Sequence, residues 1–123
     1  MTPLAPWAVL AIAVAGGIGA VARLVIGGAV QHRSGMTFPI GTAAINVLGS
    51  FALGLVMSSA ASSFAPAWVA VIGTGLLGGF TTFSTASVDS ADLVRGRLWG
   101  RALVNAGLVG VLSIAAAALG YSL

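Results

Sequence analysis

The apolar positions of this chain come in four long blocks divided by short polar stretches. The first block runs from Leu4 to Val30 and is uncharged as far as Ala22. About 20 apolar residues suffice for a helix to cross a bilayer. Gln31 to Thr37 is polar, and a second block follows from Pro39 to Ser58. After the turn Ser58–Pro66, a third block starts near Ala67, with Trp68 placed for a membrane interface. It ends where Asp89 and Asp92 appear, followed by Arg95, Arg97 and Arg101. The last block fills most of the remaining chain. The pattern predicts an all-α integral membrane protein in a lipid bilayer, one domain over 1–123. Its four transmembrane helices are expected at about 4–30, 39–58, 67–93 and 98–120.

Composition supports this reading. Of 123 residues, 59% are hydrophobic and 6% charged, which leaves no polar surface for a soluble protein of this size. The absence of Cys excludes a cysteine metal site or a disulfide. The net charge of +3 comes from arginines that flank apolar blocks, so membrane topology explains it better than a nucleic-acid partner. The start Met-Thr-Pro-Leu-Ala-Pro lacks a basic side chain, so the first block is expected to be a mature helix and not a cleaved leader. Four spans place both termini on one side. Arg33, Arg95, Arg97 and Arg101 then fall on the other, which predicts termini outside. Four small helices are few for enclosing a pore, so a dimer is expected.

Chemistry concentrates at Gly73–Thr85, a glycine-rich apolar run that turns into Thr81, Thr82, Ser84, Thr85 and Ser87. From Ser34 through Val88 the chain has no Asp, Glu, Lys or Arg. Gly73, Gly75 and Gly78 spell a dinucleotide fingerprint, but without the strand, turn and helix that motif requires. Four glycines weaken the helix here, and a break at mid-membrane is expected. The competing reading is close glycine packing between helices. Two readings also stand for Arg23: a cation snorkelling to the interface, or one that draws an anion into a vestibule. Asn46 is the only amide of its block, and serves either as an interhelical hydrogen bond or as an anion donor. His32, alone in a polar loop, reads as solvated.

Three strings now carry a resemblance: Gly78-Gly-Phe-Thr-Thr-Phe-Ser-Thr85, Gly16-Gly-Ile-Gly-Ala-Val-Ala-Arg23 and Pro39-Ile-Gly-Thr-Ala-Ala-Ile-Asn46. They resemble the CrcB/Fluc fluoride channels. The resemblance implies a passive, fluoride-specific channel subunit in the bacterial cell membrane, working as an antiparallel, dual-topology-type dimer with two pores and lowering cytoplasmic fluoride. It implies a structural Na+, not transported, held by the backbone carbonyls of Gly78 and Thr81. It matches Phe83 to the first phenylalanine of the family's box and Ser84, Thr85 and Ser87 to its polar track. Asn46 matches a pore asparagine, Arg23 a vestibule arginine and Ser113 a serine of the fourth helix.

Two positions depart from the family pattern. Ala86 stands where the box has its second phenylalanine, and Asp89 where the family usually has Glu. Together with the one-sided arginines, they favour an unlike paralogue as partner in a heterodimer, with one pore degenerate or this subunit non-conducting, over a homodimer of opposed copies. A small multidrug-type transporter shares the four helices but needs a carboxylate in its first helix, which Leu4–Val30 lacks. No nucleophile and base pair points to an enzyme.

Overall fold

The computed structural model describes residues 5–60 and 65–123, and the backbone alone of Ser59, Ala60, Ser84 and Thr85. Regular structure among these residues is helical throughout. Helix α1 (Pro6–Ser34) opens on a proline, which fits a first turn because the N–H it lacks would have no partner there. It closes at Gly35, whose φ of 62° is the left-handed conformation that ends helices. Residues 31–34, expected in the loop, form the last turn of α1 instead. Gln31 is the reason. Its Nε2 donates to the carbonyls of Met36 and Phe38, each at 2.9 Å, and its Oε1 accepts the Gly41 N–H at 2.9 Å. That N–H lies in the opening turn of α2 (Ile40–Ala60), where no acceptor exists within the helix. One side chain thus knots the end of α1 to the start of α2.

Helix α3 (Pro66–Phe80) begins in α geometry, widens into a π-helical stretch over Ala70–Leu77 and closes again as α-helix. The glycines expected to break it are all helical. The break comes after them, at Thr81 and Thr82, and α4 (Phe83–Arg95) resumes at once. The glycines stay helical because α1 uses them. A methyl group at Gly79 would overlap the Gly16 carbonyl, and one at Gly19 the Leu76 carbonyl. In a membrane such backbone approach drives helix association and offsets weak propensity. Both readings of this run therefore hold, at neighbouring positions.

Arg97 ends α4 in a left-handed conformation, φ 58°, where glycine is the usual occupant. Leu98 N–H donates to Leu93 O at 2.8 Å and Arg97 N–H to Val94 O at 3.0 Å, the paired bonds of a helix stop. Helix α5 (Trp99–Ser122) follows, with a π-helical turn at Val104–Leu108. Its second half packs on α2, where Gly54 meets the Ala117 backbone and Gly120 that of Phe51.

Contacts at the two ends fix the direction of travel. Trp7 and Trp68 lie with ring centroids 5.8 Å apart at one end. At the other, Arg101 Nη1 donates to Thr37 Oγ1. The helices therefore alternate in direction, and α3 and α4 jointly carry the chain from the Trp7 end to the Arg101 end. The break stands beside Asn46 and Gly49, near the middle of α2. Among the described residues, three helices are long and apolar enough to cross a membrane: Pro6–Ser34, Ile40–Ser58 and Trp99–Ser122. Pro66–Phe80 is apolar but shorter. Large side chains such as Leu10, Leu24, Val25 and Ile114 face outward, while the buried hydrophobics are mostly alanine.

Candidate functional site

The helix break is clasped by a single amide. Asn46 Oδ1 accepts the Thr82 N–H at 2.9 Å, and Asn46 Nδ2 donates to Thr82 O at 3.0 Å. In an uninterrupted helix that N–H would donate to Gly78 O. Thr81 has the extended angles φ −83° and ψ 155°, and an extended residue inside an apolar bundle must find hydrogen bonds for its neighbours. Asn46 supplies a complete donor and acceptor pair, and Thr82 fixes which way its amide faces. The Asn46 amide nitrogen carries a second N–H.

Beside this clasp lies a groove of about 550 Å³, walled by α2, the break, α4 and α5. It gathers four of the residues expected in the pore, Asn46, Phe83, Ser87 and Ser113, together with Thr81, expected at the sodium. It adds Ser50, Ser90 and Asn105. Every described side chain lining it is neutral. Phe83 is 87% exposed, a large ring held at the groove in the first turn of α4. Ser87 Oγ donates to Phe83 O at 2.9 Å, and Thr81 Oγ1 to Leu77 O at 3.0 Å. Asn105, 4% exposed, donates from Nδ2 to Ser90 Oγ at 2.8 Å and to Ala86 O at 3.3 Å. The side chains of Ser84 and Thr85, expected on the same track, lie outside the described residues.

Arg23 does not join this group. It lines a second groove of about 410 Å³, together with Asp89, Thr42 and Thr82. Thr82 lines both grooves, so the break divides them. The Arg23 Nε is buried with no hydrogen-bond partner among the described residues. Asp92 pairs with Arg95 at 3.7 Å on the exposed face of α4. Asp89 has no cation within that reach among the described residues. Gly78 stands apart from both grooves. It shares a third, on the Leu53 and Met57 side of α3, with Thr81.

Sequence reasoning missed Ser50, Ser90 and Asn105. Ser50 lies one turn beyond Asn46 on the same helix face, and Ser90 one turn beyond Ser87. Asn105 is a lone amide in an apolar helix, the same signal that singled out Asn46.

A break clasped by an asparagine, and a neutral polar groove beside it, now stand next to the comparison with known proteins. The profile of the CrcB-like protein family (Camphor Resistance, CrcB) matches residues 10–121. The chain belongs to the CrcB family. A relative in Leifsonia xyli subsp. xyli, named fluoride-specific ion channel FluC 1, is 50% identical over 100% of this chain and 87% of its own length. One in Sulfurovum sp., named fluoride-specific ion channel FluC, is 42% identical over 96% of this chain and 94% of its own length. A third, in Rubrobacter xylanophilus and named FluC 1, is 44% identical over 85% and 82%. Family membership and three apolar helices make this CrcB chain a membrane protein.

Proposed function

We propose that this chain is a subunit of a fluoride-specific ion channel, a passive exporter and not an enzyme. The observation that carries the reading is the neutral groove at the clasped break, in a chain whose relatives are named fluoride-specific channels. Fluoride is small and tightly hydrated, so a pore must replace water with donors without trapping the ion. Hydroxyl O–H groups, the second N–H of Asn46 and the positive edge of the Phe83 ring are donors of that kind. Arg23 in the neighbouring groove raises the local anion concentration without standing in the path, and its buried Nε, with no partner among the described residues, favours a nearby negative charge.

In this reading the chain crosses the bacterial cell membrane four times, α3 and α4 together making the third crossing with its break at mid-membrane. A second, inverted copy or an unlike paralogue completes the pore and covers the exposed ring of Phe83. Structural Na+ fits the Gly78 and Thr81 position. Backbone carbonyls are hard oxygen donors suited to a hard cation, and a methyl at Gly78 would meet nothing closer than Gly73 O at 3.8 Å, so that wall is open. A bound cation there would add positive potential at the break.

An unlike partner is favoured by Ala86, which gives the groove a methyl, and by charge at the Arg101 end. Arg33, Arg95, Arg97 and Arg101 are all exposed there, and such bias sets one orientation. The deciding experiment is fluoride efflux from liposomes, with chloride as the control. Fast fluoride-selective efflux from this chain alone supports a homodimer. Efflux only when an oppositely inserted paralogue is co-reconstituted supports the heterodimer. Well-folded protein silent in both assemblies overturns the channel reading.

A further inference from the structure

The hydroxyls of the neutral groove are not equivalent. Thr81 and Ser87 each donate to a carbonyl of their own helix four residues back. Each has thereby spent its only hydrogen. Ser90 is held the other way round. Its Oγ accepts a hydrogen bond from Asn105 Nδ2 at 2.8 Å. The back-bond that Ser87 makes is closed to it, because the carbonyl it would need, Ala86 O, already receives Asn105 Nδ2 at 3.3 Å. As an interior carbonyl of α4, Ala86 O also takes the Ser90 N–H, which occupies both of its lone pairs. With that back-bond closed, the Ser90 hydrogen can turn into the groove that Ser90 lines.

Asn105 is well placed to enforce this. It is 4% exposed, so its amide cannot turn out to solvent. It sits in the π-helical turn Val104–Leu108, a winding often found where a side chain is re-aimed for function. The neighbouring Ala86 offers only a methyl, so nothing on α4 at that position screens the pair.

We propose that Ser90 is an anion-binding position in this groove, and that Asn105 is the positioning residue that fixes its hydroxyl as a donor. The inference rests on the fluoride-channel reading. A hydroxyl that accepts one hydrogen bond donates a stronger second one, and a partly dehydrated fluoride is the acceptor that rewards it.

The test compares fluoride efflux from liposomes carrying wild type, Ser90→Ala, Ser90→Thr, Asn105→Ala and the double alanine variant, in whichever assembly conducts. Ser90→Ala is expected to slow fluoride efflux about tenfold, the scale of one hydrogen bond to a charged group. Ser90→Thr keeps the hydroxyl and most of the flux. Asn105→Ala slows efflux several-fold on its own and adds little once Ser90 is alanine, because it acts through that hydroxyl. Two shape-preserving variants cover a failure to fold. Ser90→Cys offers only a weak donor, and Asn105→Asp turns the Ser90 hydrogen back onto itself, so both should lose flux in a monodisperse protein. Unchanged efflux in Ser90→Ala and Ser90→Cys, beside a conducting wild type, overturns the inference and leaves the channel reading standing. Independent losses in the double variant overturn the positioning role. A silent wild type overturns the channel reading, and this inference with it.

Discussion

Asn46 shows how much one side chain can settle. Its amide serves both the N–H and the carbonyl of Thr82, so removing it takes two hydrogen bonds from the backbone at the break. Asn46→Ala is expected to cost about 1–3 kcal/mol, the scale of two hydrogen bonds lost together, and to abolish fluoride efflux. Thermal unfolding in detergent and liposome flux measure the two effects separately. Loss of flux without loss of stability would assign Asn46 to the ion alone. That this residue mattered was legible in the sequence, because an amide in an uncharged block must find a partner. Which partner was not, since Thr82 lies 36 residues away and only packing brings the two together. Asn105 gave an identical signal. Its meaning appears only with Ser90 and Ala86 in place, 15 and 19 residues earlier in the chain.

Among the helices, the glycines of α1 and α3 decide how closely two backbones meet. Gly19 and Gly79 have no room for a side chain, whereas a methyl at Gly17 would touch nothing within 4 Å. Gly79→Val should destabilise the fold by about 1–3 kcal/mol, the range for overpacking, while Gly17→Ala leaves it unchanged. Chemical denaturation in mild detergent compares them directly, and equal stability of the two variants would refute the packing account. Helix content and the rough places of the connections were legible from block length and the polar stretches between blocks. The exact place of the break was not. Propensity located it among the glycines, and the contact with α1 held those glycines helical, so the interruption moved to Thr81 and Thr82. The extra turn of α1 was hidden for a similar reason. Gln31 reads as a loop residue until its contacts with Met36, Phe38 and Gly41 are seen.

For the whole molecule, orientation and assembly carry the remaining predictions. The chain has no cysteine, so single cysteines placed in the two arginine-rich connections report sidedness without background. Membrane-impermeant thiol labelling should find both on the cytoplasmic side. Labelling from both faces in equal measure would mean that this chain inserts in both directions and pairs with itself. Replacing Na+ by a bulky organic cation should weaken the dimer and slow fluoride efflux, read by size-exclusion chromatography and flux. Insensitivity of both would remove sodium from the proposed centre. The break has one more consequence, for biogenesis. Helix α3 stops at Phe80, and α4 brings Asp89 and Asp92 with it, so the pair is a poor candidate for insertion by the translocon on hydrophobicity alone. Synthesis from the N-terminus resolves this. The ribosome delivers Asn46 well before Thr82 emerges, so the clasp is already in the bilayer when the segment that needs it arrives. A circular permutant that translated α3 and α4 before α2 would have every contact available and the wrong schedule for making them.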